Sequence, residues 1–263
     1  MSDSKNKQRS LAFSASGEPR FWWHRLLGSD YLPPIYALLS ENEWQLMRDW
    51  FAETSRENLV GECAVLLMSF LQGFVMGNIV RRIVQLGTHS GYSALLLGFY
   101  LREMGARHAL FTLEIGESLC EYTRNWLGRA GLMEVVHVEH RSSVDPSSGT
   151  LACEYLGGAP ELVFIDSSHE YGATREELDY WYPELAPSGL IVLHDTSEFA
   201  VSFDVTRKGG VKRALDEWRA QNPGVESFSF NRDVRSTNTP LSVGKDFCGF
   251  GLIYKPLIKP LVN

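Results

Sequence analysis

From residue 82 onward, short apolar runs alternate with stretches of helical length, and this alternation leaves few folds open. RIVQLG, ALFTLE, VVHVEH, ELVFID and LIVLHD have strand length, while YSALLLGFYLREM, ESLCEYTRNWLGRAG, a segment at residues 151–156 and TREELDYWYPEL separate them. Apolar strands spaced by helices predict a parallel sheet covered on both faces. After LIVLHD, the helix GVKRALDEWRA is followed by VESFSF and FGLIYK, with only the polar, turn-rich NRDVRSTNTPLSVGKD between them. Two strands without a helix between them predict an antiparallel pair at the sheet edge. The expected fold is α/β: a seven-stranded, Rossmann-like sheet with helices on both faces and an antiparallel last strand.

A helical extension precedes the sheet. Residues 1–20 read as a flexible tail, 21–78 as a helical cap or dimerisation region, and 79–263 as the main domain. Pro33 and Pro34 break YLPPIYALL; Ser40 with Glu43 forms a capping box, and Trp44, Met47 and Phe51 share one helical stripe. ENLVGECAVLLMSFLQGF is apolar on most sides, which predicts deep packing.

Composition narrows the function classes. With 14 Phe, 10 Tyr and 7 Trp in 263 residues, disorder as the dominant state is excluded. A net charge of −7 with no Lys/Arg block argues against nucleic acid and anionic membranes, and favours a small molecule. Cys63, Cys120, Cys153 and Cys248 lie far apart in the chain and form no CxxC, which predicts reduced thiols. MSDSKNKQRS leads into no apolar core and AVLLMSF is too short to span a bilayer, so a cytoplasmic location is expected.

QLGTHSGYS, residues 85–93, directly follows the first strand. Gly87 and Gly91 permit a sharp strand-to-helix turn and let a ligand approach the backbone, beside a helix N-terminus. The GxxxG spacing departs from the GxGxxG dinucleotide fingerprint. Glu114 ends the second strand, where a carboxylate accepts hydrogen bonds from ribose hydroxyls. An adenosine-type cofactor outside the carboxyl ends of the strands is the expectation.

The succession QLGTHSGYS, TLEIGE, FIDSSHEYGATREELDYWYPELAPSGLIVLHDT and a closing antiparallel pair resembles the class I S-adenosylmethionine-dependent methyltransferases. Among these it is similar to small-molecule O-methyltransferases of the macrocin, mycinamicin and cephamycin pathway type, and more distantly to catechol O-methyltransferase. The resemblance spans residues 82–255. It implies S-adenosyl-L-methionine as cofactor, with Gly87, Thr88 and Gly91 cradling the methionine part and Gln85, Tyr92 and Ser93 beside it. Glu114 would hold the ribose, and Ser142 or Ser143 would lie near the adenine. Gln85 stands where the family commonly carries an acidic residue.

Asp166 ends the fourth strand, and His194 with Asp195 ends the fifth. Two such carboxylates above one crevice suit a divalent cation such as Mg²⁺ that orients a hydroxylated acceptor. The resemblance implies Asp166, His194 and Asp195 as its ligands, although an imidazole suits a softer metal better. His169, three residues beyond Asp166, is expected to take the proton from the acceptor hydroxyl. Asp166 and His169 are also expected to touch the cofactor.

The leading expectation is methyl transfer to a hydroxyl of a small polar metabolite, such as a sugar within a natural product. N-methylation of a small amine, an NAD-dependent oxidoreductase, and a non-catalytic S-adenosylmethionine-binding scaffold are the alternatives. A homo-oligomer is the default state for such a chain.

Overall fold

A computed structural model describes residues 32–231 and 247–257. The expected tail, the first part of the helical section and most of the linker between the last two strands lie outside the described residues. Three helices come first: α1 (Pro34–Ala37), α2 (Glu41–Arg56) and α3 (Val65–Asn78). The sheet then begins with β1 (Ile83–Leu86), α4 (Tyr92–Glu103), β2 (Leu110–Glu114), α5 (Glu117–Arg129) and β3 (Val136–His140). It continues through α6 (Ser148–Leu156), β4 (Leu162–Ile165), α7 (Tyr171–Glu184) and β5 (Leu190–His194). A 3₁₀ turn (Ala200–Phe203), α8 (Gly210–Gln221), β6 (Ser227–Phe230) and β7 (Phe250–Tyr254) complete it.

The seven strands lie in the order β3-β2-β1-β4-β5-β7-β6. The first five are parallel, and β7 runs antiparallel to both β5 and β6, as the missing last helix predicts. The order reverses between β1 and β4, and that switch opens a crevice at the carboxyl ends of the two strands.

The period of two along each strand divides the core. Ile83, Leu110, Leu162 and Leu190 face α3, α4 and α5, whereas Val84, Phe111, Val163 and Ile191 face α6, α7 and α8. Two helix boundaries differ from expectation. α6 starts at Ser148, where the Ser148 backbone amide donates to the Asp145 carbonyl. α7 starts at Tyr171 and keeps Pro183 in its last turn, two residues before the backbone becomes extended at Leu185.

The described part of the helical section shares one hydrophobic cluster with α4. The capping box forms: the Ser40 amide donates to Glu43 at 2.6 Å, and the Glu43 amide to the Ser40 hydroxyl at 3.3 Å. The stripe Trp44, Met47 and Phe51 is buried together with Trp50, in the same cluster as α4. The Tyr36 and Tyr92 hydroxyls share a hydrogen bond, and the Tyr100 hydroxyl donates to the Ile35 carbonyl. Trp50 Nε1 donates to the Ser90 carbonyl at 2.8 Å, inside the glycine turn. Trp50→Ala removes a fully buried indole and this clasp together, and is expected to cost about 3–5 kcal/mol in urea denaturation.

Candidate functional site

The β1–α4 turn owes its shape to what presses on it. Gly87 has φ +85°, and a Cβ there would lie 2.1 Å from the Asp166 carbonyl oxygen. Gly91, at φ +91°, caps α4 where a Cβ would meet the Thr123 methyl at 2.9 Å. One Glu114 oxygen accepts from the Thr88 and His89 amides at 3.2 and 2.9 Å, and the other from the Gly116 amide at 2.9 Å. The carboxylate therefore organises the turn that it faces. Gln85 lies fully buried beneath, donating to the Gly87 carbonyl and the Ser93 hydroxyl, both at 2.8 Å. An ionised carboxylate at this position has no proton to give that carbonyl, so the amide matches this turn.

A cavity of about 360 Å³ opens at the crevice, lined by Gly87, Glu114, Ser142, Ser143 and Asp166 among others. Five of the expected cofactor residues thus converge. Gln85, Thr88, Gly91, Ser93 and His169 do not line it. The Tyr92 side chain does not line this cavity. It is turned into the core, 5.6 Å from the Trp50 ring and hydrogen-bonded to Tyr36, because the first turn of α4 faces the N-terminal helices.

Ile115, Leu119 and Val144 give the cavity apolar surface for a planar base and were not singled out in the sequence. The signal was available at Ile115, an apolar residue directly after the strand-ending carboxylate, which is 73% exposed. Glu177 of α7 is a further unanticipated member. It is buried and accepts from the Ser143 hydroxyl at 2.6 Å and the Ser167 hydroxyl at 2.8 Å, joining opposite walls of the cavity.

Burial pushes the Glu177 carboxyl up to about 7, although both serine hydroxyls favour its ionised form. Between the ordinary glutamate value and about 7, the folded chain holds a proton that the unfolded chain has released. Stability therefore falls as pH rises through this window, by about 3 kcal/mol in all. Glu177→Gln is expected to flatten the decline, as measured by urea denaturation at about pH 5 and about pH 8.

At the ends of β4 and β5, two carboxylates meet two imidazoles. His169 Nε2 is 3.1 Å from Asp195 Oδ2 and 3.7 Å from Asp166 Oδ1. His194 Nδ1 is 3.2 Å from Asp166 Oδ1 and 3.5 Å from Asp195 Oδ2. The Cys63 thiol, from the segment between α2 and α3, donates to Asp166 Oδ2 at 3.0 Å, and the Cys248 thiol hydrogen-bonds to Asp195. Asp195 and His169 both adopt left-handed backbone conformations, at φ +60° and +61°. Such conformations cluster where a site over-determines the backbone.

Electrostatics separate the two carboxylates. Burial opposes ionisation of Asp166, but the His194 charge and hydrogen bonds from both histidines overcome it and hold the carboxyl well below the usual range. Burial pushes Asp195 up, against the His194 charge and with the charge of Asp166 adding to the rise. For His169, burial disfavours the imidazolium, yet the Asp166 hydrogen bond and the Asp195 charge raise its pKa above the ordinary histidine value.

The three expected metal positions do converge, but the donor chemistry does not fit Mg²⁺. Magnesium takes an octahedron of oxygens and keeps several waters. Here each carboxylate already faces imidazole nitrogens, and a thiol approaches each of them.

A family model described as a methyltransferase domain matches residues 84–196, which include the glycine turn, Glu114, Asp166, His169 and Asp195. The protein-L-isoaspartate O-methyltransferase of Myxococcus xanthus is 28% identical over 168 residues, 62% of this chain and 66% of that one. The chain spans only 14% and 66% of the lengths of two curated relatives that it matches. An O-methyltransferase from Bacillus cereus, solved with S-adenosylhomocysteine, superposes with a TM-score of 0.62 at 22% identity, covering 83% of this chain and 93% of that one. TomG of Streptomyces achromogenes, an O-methyltransferase of tomaymycin synthesis solved with S-adenosylmethionine, gives 0.58 at 21%, covering 89% and 94%. At these identities the superpositions establish the fold. Over residues 84–196 the chain is thus similar to a methyltransferase domain, and its seven-stranded fold is the one that the superposed O-methyltransferases adopt.

Proposed function

We propose that the protein transfers the methyl group of S-adenosylmethionine to a hydroxyl oxygen of a ring-bearing small molecule, with His169 as the base. The observation that carries this reading is the 3.1 Å contact between His169 Nε2 and Asp195 Oδ2, beside the end of β4 that lines the cofactor cavity. With Nε2 donating to Asp195, Nδ1 is left as the nitrogen whose lone pair accepts the hydroxyl proton. The oxygen forms a bond to the methyl carbon, the carbon–sulfur bond breaks, and its electron pair returns to sulfur as S-adenosylhomocysteine. What the chain supplies is alignment and a proton acceptor.

The acceptor class follows from the rings beside the base. Phe203 lies 5.9 Å from the His169 ring, and Phe199 packs against both Phe203 and Phe247. All three phenylalanines are more than a third exposed. Such a wall suits a flat apolar face, including the C–H face of a sugar ring, and this supports the natural-product branch of the resemblance. A net charge of −7 supports a small molecule over nucleic acid. Among the described residues no helix is long and apolar enough to cross a membrane.

The test is calorimetric titration with S-adenosylhomocysteine, followed by transfer of labelled methyl from S-adenosylmethionine to panels of ring hydroxyls and amines. Saturable binding and label recovered as an O-methyl ether are expected. No binding overturns the reading; label recovered only on nitrogen moves it to N-methylation.

A further inference from the structure

Two hydroxyl protons in the cavity wall point at one carboxylate. Glu177 is 2% exposed, and its oxygens accept from the Ser143 hydroxyl at 2.6 Å and the Ser167 hydroxyl at 2.8 Å. A hydroxyl has one proton and two lone pairs. With its proton directed at Glu177, each serine oxygen has only lone pairs left for a molecule in the cavity, which both serines line. We propose that Glu177 is a positioning residue that fixes Ser143 and Ser167 as hydrogen-bond acceptors, and so selects a cofactor whose base carries an exocyclic amino group over one that carries an oxygen there. This selection rests on the cavity being the S-adenosylmethionine site proposed above.

Three observations carry the proposal. The first is placement. Ser143 follows β3 and Ser167 follows β4, so one residue of α7 sets the hydroxyls of two loops. Val144, next to Ser143, lines the cavity with Ile115 and Leu119, which puts an acceptor at the edge of the apolar surface offered to a planar base. The second is rigidity. Trp181, one turn further along α7 and fully buried, donates from Nε1 to the Ser143 carbonyl at 2.9 Å. The Ser148 hydroxyl of α6 donates to the Ser142 carbonyl at 2.9 Å, so the loop after β3 is held from two helices before any ligand arrives. The third is the burial of the carboxylate. A group buried so deeply is destabilising unless its lone pairs are met. Turning either serine proton toward a ligand oxygen takes a donor away from Glu177, so an oxygen-bearing base meets lone pairs at this wall.

The experiment is calorimetric titration of the full chain at about pH 8, above the value of about 7 for Glu177. The ligands are S-adenosylhomocysteine and S-inosylhomocysteine, in which an oxygen replaces the exocyclic amino group. The wild-type chain is expected to prefer the adenosyl ligand by about 10- to 100-fold, the effect of leaving one buried polar group unmatched. Glu177→Gln keeps the shape of the side chain but brings amide protons, one of which turns a serine round and frees its proton for the cavity. In this variant the adenosyl ligand should weaken and the inosyl ligand tighten, and the preference should shrink about tenfold. Ser143→Ala, which removes one acceptor and leaves α7 untouched, should weaken the adenosyl ligand and change the inosyl ligand little. Circular dichroism establishes that each variant is folded. A merely structural Glu177 would weaken both ligands alike, and that outcome overturns the selection. So does equal binding of the two ligands by the wild-type chain. Binding of neither ligand to the wild-type chain overturns the cofactor site itself, so the two failures are told apart.

Discussion

His169→Ala is expected to lower kcat by about 10²- to 10⁴-fold, the range that a positioned general base contributes. Affinity for S-adenosylhomocysteine should stay close to wild type, because His169 does not line the cofactor cavity. The pH profile separates a base from a merely structural residue. Only the neutral imidazole accepts a proton, so the rate must rise with pH through the pKa of His169. Asp166 and Asp195 raise that pKa, which places the acid limb of the profile above the ordinary histidine value. The limb should vanish in His169→Ala. In Asp195→Asn it should move to lower pH, since a carboxylate that stabilised the imidazolium is gone. A His169→Ala enzyme with wild-type kcat would sink the assignment.

Gly87→Ala is expected to abolish measurable S-adenosylhomocysteine binding and to destabilise the fold by about 3 kcal/mol or more. Two penalties coincide there. An L-residue at φ +85° costs about 1–2 kcal/mol, and the new methyl would stand 2.1 Å from the Asp166 carbonyl oxygen and 2.7 Å from Ser167 Cα. Both obstacles are backbone, so relief requires moving the very segment that carries Asp166. Gly91→Ala is the control. It has a similar φ, but its obstacle is the Thr123 side chain at 2.9 Å, which can rotate. Calorimetry on both variants should show a far larger loss for Gly87; equal losses would mean that the close approach to β4 is unimportant.

The sheet was legible because its cause is local. Apolar runs of strand length, separated by amphipathic helices, leave the chain one economical way to bury both faces. Gly87 was legible as a turn residue, but the reason for it was not, since the oxygen pressing on it belongs to Asp166 on another strand. The packing of Tyr92 was hidden for the complementary reason. Its place beside the glycine turn suggested the cleft, whereas the angular position of the first residue of α4 sends its ring into the N-terminal helices. Glu177 looked like one more polar residue on the helix TREELDYWYPEL; only the packing of α7 turns it inward against Ser143 and Ser167. Cys63 and Cys248 gave no sequence signal, because nothing in their spacing reveals that two distant segments bring them to the same pair of carboxylates. The geometry of the Asp166, His169, His194 and Asp195 group was anticipated as to membership, and its internal pairing was supplied by the fold.

The Trp50 indole on the Ser90 carbonyl, the Ser90 hydroxyl on the Leu59 carbonyl and the Cys63 thiol on Asp166 tie the first helices to two loops at the carboxyl ends of the strands. Free energy exchanged across such ties is reciprocal. If cofactor occupancy stiffens the glycine turn, the same amount of work protects α2 and the segment between α2 and α3 from opening. Loosening α2 must then weaken cofactor binding to the same degree. On that premise the helical section is less an accessory placed over the sheet than one arm of a balance, with the proposed cofactor on the other.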